Sequence, residues 1–193
     1  MHIPDGYLGP ITYGSLWAAV IPIWIYASKK VKVILKASQI PLLALSAAFS
    51  FVIMMFNVPL PGGTTGHATG ATLIAILIGP WPAVIALSIA LIVQALIFGD
   101  GGITAIGANC FNIAFASVLV GYGIYKLISN FKFQISNAET SRSSLSTRHL
   151  IGAGTGAYAG INLAAFLTAV ELGIQPLLHT GADGRPLYSP FPL

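Results

Sequence analysis

Pro59-Leu60-Pro61-Gly62-Gly63-Thr64-Thr65-Gly66-His67 is a polar, glycine-rich loop, and it runs straight into the apolar stretch Ala68-Thr69-Gly70-Ala71-Thr72-Leu73-Ile74-Ala75-Ile76-Leu77-Ile78-Gly79, which Pro80-Trp81-Pro82 ends. The stretch has only 12 residues. At roughly 1.5 Å per residue it is too short for a hydrocarbon core about 30 Å thick. Its neighbours on both sides are longer: Gln39 to Val58 with Pro41 in its first turn, and Ala83 to Phe98. Further out lie Ile11 to Ser28, Ile103 to Ile128, and Leu150 to about Leu172. The pattern predicts an all-α integral membrane protein. It is a bundle of about six transmembrane helices with a short, broken third helix, and residues 1–193 form a single polytopic domain.

Composition excludes a soluble globule. The chain has 193 residues, 9 basic and 5 acidic, so 7% are charged, against 55% apolar and 21 glycines. Soluble domains carry about 25% charged residues. The mean hydropathy is +0.83. A single cysteine, Cys110, can form no internal disulfide, and its apolar surroundings point to packing.

Basic residues concentrate in cytoplasmic loops. With Lys29, Lys30, Lys32 and Lys36 inside, alternation puts the N-terminus, the 59–67 loop and the 99–102 loop outside, and 129–149 inside. Eight of the nine basic residues then share one side, with Arg185 the exception. That distribution disposes of a nucleic-acid patch. Residues 129–149, rich in Ser, Asn and Thr, read as a flexible cytoplasmic linker, and 173–193 as an outer tail. Met1-His2-Ile3-Pro4-Asp5-Gly6-Tyr7-Leu8-Gly9-Pro10 has no basic residue and reads as a retained N-terminus that plugs the outer face.

That N-terminus is a chelator. The Met1 amine and the His2 amide nitrogen close a five-membered ring on a metal, and the His2 amide and Nδ1 a six-membered one. Three nearly coplanar nitrogens favour Ni(II) or Cu(II), and His67 is the natural fourth ligand. A lone loop histidine is ordinarily a solvated surface group. His67, however, opens a helix too short to span, which is how membrane transporters often build a substrate site. Asp5 either orients the N-terminal loop and offsets metal charge, or makes a turn with Gly6. Asn109, a costly amide in an apolar setting, pins the N-terminal loop or a neighbouring helix, as Gln94 could. Asp100, in a Gly-Asp-Gly-Gly turn, reads as structural. His149 reads as bland, and so does His179, though it lies on the metal's side. Gly152, Gly156, Gly160 and Ala164 form a small-residue ridge, for packing within the bundle or for docking a partner.

Three motifs together resemble the CbiM/NikM family, the substrate-binding membrane subunits of energy-coupling-factor (ECF) transporters for cobalt and nickel. They are Met1-His2-Ile3-Pro4-Asp5-Gly6, Gly63-Thr64-Thr65-Gly66-His67, and Phe98-Gly99-Asp100-Gly101-Gly102-Ile103-Thr104-Ala105 with Gly107-Ala108-Asn109. The resemblance implies a metal held in a plane by the Met1 amine, the His2 amide and imidazole nitrogens, and His67. It implies a bacterial or archaeal cell membrane, a transmembrane coupling subunit, cytoplasmic ATPase subunits, and often a small accessory membrane protein. The resemblance implies one more apolar span beyond Tyr188 to Leu193, as family members usually have, and the sequence ends at Leu193.

No Gly-x-x-x-x-Gly-Lys-Ser/Thr loop or nucleophile arrangement is present, so an enzyme is not expected. A self-powered transporter usually carries ionisable residues inside its spans, and here Glu171 lies only at the edge of one. The expected function is high-affinity capture of a divalent metal, Ni2+ before Co2+, for an ATP-driven uptake system. A membrane binder of a small organic solute such as a vitamin, with His2 and His67 only lining a pocket, is the alternative.

Overall fold

The computed structural model describes residues 2–60, 64–130 and 138–188. Helix α1 spans Pro10–Ile34 and α2 Ile40–Met54, joined by a short 3-10 turn. A small hairpin follows, β1 (Val58–Leu60) against β2 (Thr64–Gly66), in antiparallel register with Val58 opposite Gly66. Helix α3 is Ala71–Ile78 and α4 Pro80–Val93, the latter continued by a π-helical turn to Phe98. Helix α5 (Ile106–Asn109) passes through a π-helical stretch, Cys110–Ala116, into α6 (Ser117–Ser129). Helix α7 runs over Ala138–Gly173 and α8 over Gln175–Leu178.

Among the described residues, five helical segments are long and apolar enough to cross a membrane: Pro10–Ile34, Ala37–Met54, Pro80–Phe98, Ile106–Ser129 and Thr147–Leu178. The sixth, α3, has 8 residues and reaches about 12 Å. Local chemistry sets its ends. Gly70 precedes it in the left-handed region (φ 71°), and a side chain there would run into Phe49. Gly79 (φ 93°) then turns the chain into Pro80, whose missing N–H costs nothing in a first turn.

The bundle closes on small residues. Ala71, Ala75, Ala83, Ala86, Ala90, Ala114 and Ala164 are buried, while Ile21, Val33, Leu45, Leu77, Tyr158 and Phe166 face outward. In lipid such a division lets backbones approach closely and leaves bulky side chains to the acyl chains. The ridge on α7 is spent inside. A side chain at Gly156 would collide with the Gly121 carbonyl, and one at Gly160 would lie 2.6 Å from the Ser117 carbonyl. The ridge is therefore the seam between α7 and α6, not a face for a partner.

The expected flexible linker is corrected in part. Residues 131–137 lie outside the described residues, but the chain is helical from Ala138 onward. Extending an existing helix adds one hydrogen bond per residue without a new nucleus, so polar Ser and Thr are carried along. The same effect takes α1 past Ser28 through its lysines to Ile34.

Candidate metal centre

The N-terminal loop lies against the segment after α4. Ile3 and Leu8 are 1% and 3% exposed, packed with Ala105 and Ala108. The side-chain amide of Asn109 reads the Ile3 backbone on both sides: its Oδ1 accepts from the Ile3 N–H at 2.8 Å, and its Nδ2 donates to the Ile3 carbonyl at 3.2 Å. The Gly102 N–H donates to the same carbonyl at 2.8 Å. Asp5 takes the amides of Ile103 (2.9 Å) and Thr104 (2.8 Å) and the Thr104 hydroxyl. The Thr104 hydroxyl and these backbone amides hold the Asp5 carboxyl below the ordinary 3.8. Asp5 and Asn109 thus fasten the loop that carries His2.

This docking demands glycine at 101. Gly101 has φ 96°, and a side chain there would lie 3.1 Å from Asn109 Nδ2 and 3.3 Å from the His2 Cβ. The neighbouring carboxylate was missed as a site residue by sequence reasoning. Asp100 Oδ1 is 2.9 Å from His2 Nδ1, and a carboxylate can only accept, so Nδ1 carries the proton there. The hydrogen bond from His2 holds the Asp100 carboxyl below its ordinary value against the opposing effect of burial. Its place in a tight Gly-Asp-Gly-Gly turn, on the same predicted face as His2, was the available signal.

His67 arrives from the other side, in the short segment between β2 and α3. The Ser50 hydroxyl holds the carbonyl of Thr69 at 2.8 Å, and the Thr69 hydroxyl accepts from the Ala71 N–H at 3.2 Å. The His67 and His2 rings meet with centroids 4.8 Å apart, tilted by 54°. Burial, reinforced by the nearby His2, pushes His67 down to about 4, so its imidazole is neutral at physiological pH. Its Nδ1 lies 3.3 Å from the Ala68 carbonyl, which leaves the lone pair on Nε2. The Nε2 atoms of both His2 and His67 are buried without a hydrogen-bond partner among the described residues. Buried polar atoms are rarely left so, and a divalent cation is one species that satisfies the neutral imidazole nitrogen of His67.

The expected chelate needs His2 Nδ1, which Asp100 holds in this structure. The imidazole must therefore exchange the carboxylate for the metal. Met1, whose amine is the remaining expected ligand, lies outside the described residues. Among the described residues no group of three His, Cys, Asp or Glu forms a side-chain cage.

The other candidates lie elsewhere. Gln94 is fully buried with a long contact, 3.9 Å, from its Nε2 to the Met55 sulfur. His149 Nδ1 is 2.8 Å from the Tyr125 hydroxyl, between α6 and the first third of α7. His179 packs on Gly9.

Known proteins place this architecture. The family model for the cobalt uptake substrate-specific transmembrane region matches residues 2–191. The fused nickel transport protein NikMN of Rhodobacter capsulatus is 50% identical over all of this chain, which covers 53% of that protein. The cobalt transport protein CbiM of Acetohalobium arabaticum is 41% identical over 66% of this chain and 52% of its own length. The chain thus spans about half the length of these relatives. The crystal structure of a truncated transition metal transporter, 50% identical, superposes with a TM-score of 0.84 over 100% of this chain and 82% of that one. With its broken third helix, its N-terminal loop docked on the 100–109 segment and its full-length match, the chain belongs to the CbiM family of membrane proteins.

Proposed function

We propose that this chain is the metal-capturing subunit of an ATP-driven uptake transporter of the ECF type, with Ni2+ favoured over Co2+ as substrate. The pairing of His2 with His67 beneath a docked N-terminal loop is the observation that carries the reading. Relatives named for nickel and for cobalt transport support the substrate class. The Met1 amine, the His2 amide nitrogen and Nδ1, and His67 Nε2 form the planar donor set. Co(II) gains less from such a field than Ni(II), and the Irving–Williams order points the same way. A transmembrane coupling subunit and cytoplasmic ATPase subunits supply the energy in this reading, with a small accessory membrane protein beside them, as the motif resemblance implies. The N-terminal loop faces the outside of a bacterial or archaeal cell. The chain itself is not an enzyme.

Neutral His67 is ready to bind, whereas the amine and the amide must each give up a proton and the His2 ring must carry its proton on Nε2 to free Nδ1. Calorimetry on the purified chain should show near-stoichiometric Ni2+ binding whose heat varies with buffer ionisation enthalpy. Binding should vanish in His2→Ala, in His67→Ala and after N-terminal acetylation. Tight binding by the acetylated protein would sink this coordination. A vitamin-like solute that binds equally well in both histidine variants would instead favour an organic substrate.

A further inference from the structure

The N-terminal loop turns into α1 at Gly9-Pro10, and that hinge is gripped by the far end of the chain. Gln175, 0% exposed, opens α8 where α7 ends. Its Oε1 accepts from the Gly9 N–H at 2.8 Å and from the Thr12 hydroxyl at 3.2 Å. Its Nε2 donates back to the Glu171 carbonyl, so the side chain is braced on α7 while it holds the loop. One turn on, the His179 imidazole lies against Gly9, where any side chain would overlap the ring. Tyr188 meets that ring edge-on at 5.3 Å, the Leu187 N–H donates to the His179 carbonyl at 2.9 Å, and Thr180 pairs with Pro186. The grip is thus a closed structure and not a stray contact.

Nothing in the metal chemistry requires these contacts, because Gln175 and His179 reach the centre only through the loop backbone. Their cost is specific: without Gln175 the Gly9 N–H is buried and unpaired. We infer that Gln175 and His179 are positioning residues, a latch across the Gly9 hinge that sets how long the bound metal stays. The inference rests on the proposed His2–His67 metal centre. With the latch shut, the loop is held in its binding geometry before the ion arrives, and the ion leaves only when loop and hinge loosen together. Asn109 and Asp5 secure the loop near His2, whereas the latch ties it to the end of α7, at the opposite end of the sequence.

The test is nickel release from the purified full chain, followed by stopped-flow against an excess of a competing chelator, beside the absorption spectrum of the bound ion and the melting temperature of the metal-free protein. Gln175→Leu should release nickel about tenfold faster, the loss of a buried hydrogen-bond pair, with an unchanged spectrum because no donor atom is altered. His179→Ala should speed release, and so should Gly9→Ala in the wild-type background; in the His179→Ala background Gly9→Ala should add nothing further, because the new methyl group then meets no ring. A Gln175→Leu protein that folds and releases nickel at the wild-type rate would overturn the latch. So would a His179→Ala protein that releases nickel at the wild-type rate, or a Gly9→Ala effect just as large in the His179→Ala background, and this pair decides the matter if Gln175→Leu does not fold. A wild-type chain that binds no nickel would overturn the metal centre itself, and the latch's role with it.

Discussion

Asp100 decides what His2 does before a metal arrives. It holds Nδ1 at 2.9 Å, the nitrogen that the planar chelate needs, and so keeps the ring oriented but occupied. In the proposed chelate the same carboxylate would have a second effect. A divalent ion on one ionised amide carries a net single positive charge, which a nearby carboxylate balances in a partly desolvated site. Asp100→Asn keeps an acceptor but removes the charge, and it should weaken Ni2+ binding about tenfold by calorimetry. Unchanged or tighter binding would mean that Asp100 only parks the metal-free ring. Asp5 makes a prediction of different sign in pH. Its folded value is depressed, so its contribution is fully present above the ordinary 3.8 and is lost as pH falls through the lower folded value. The reporter is at hand, because the Trp17 indole N–H donates to the Thr104 carbonyl at 2.9 Å. Below pH 3.8 the fluorescence-detected melting temperature of the wild type should fall more steeply than that of Asp5→Asn. Parallel curves would separate Asp5 from acid sensitivity.

Elements meet where side chains are absent. Along α7, Gly156 lies on the Gly121 backbone and near Thr72, while Gly154, two positions earlier, has nothing within 4 Å of where a methyl group would stand. Gly156→Leu should force α6 and α7 apart and cost about 3 kcal/mol of stability. Gly154→Ala should be neutral or stabilise by up to about 1 kcal/mol, since it only removes backbone freedom from the unfolded chain. Thermal melts in detergent separate the two, and equal effects would refute the seam. The four-residue spacing of the ridge was legible in the sequence. Its partner was not, because hydropathy along a helix reports that it is buried in a bilayer or a bundle, but not its rotation about its own axis. The length of α7 escaped the sequence for a related reason. Composition marks residues 138–149 as polar, yet a polar segment stays helical when it continues a long apolar helix.

For the whole molecule, charge predicts an orientation: eight of the nine basic residues fall on one side if the spans alternate. The sole native cysteine is buried, so introduced thiols can be labelled without background. Asp183 and Lys36 are both exposed and lie on opposite predicted sides. A membrane-impermeant maleimide should label Asp183→Cys in intact cells, and Lys36→Cys only after permeabilisation. The reverse pattern would invert the protein and remove the N-terminal loop from the outside. The proposed reliance on an energy-supplying partner is in keeping with how few ionisable groups the described spans carry. Glu171 is the one carboxylate buried among those helices, and it is bonded to Asn112 at 2.9 Å.

What the sequence determined by itself was whatever depends on counting along the chain. Runs of apolar residues set the helices, a run of 12 set the broken one, and His2 and His67 stood out because polar groups are scarce in such a chain. The family resemblance lay in the same local motifs. Tertiary structure alone decided the pairings: Asn109 with Ile3 across 106 positions, Gln175 with Gly9 across 166, and Asp100 with His2. The physical reason is that insertion into a bilayer depends on hydropathy summed over each segment. A hydrogen bond between distant segments depends instead on how each helix is rotated and how closely its neighbour approaches, which the glycines and alanines of other helices set.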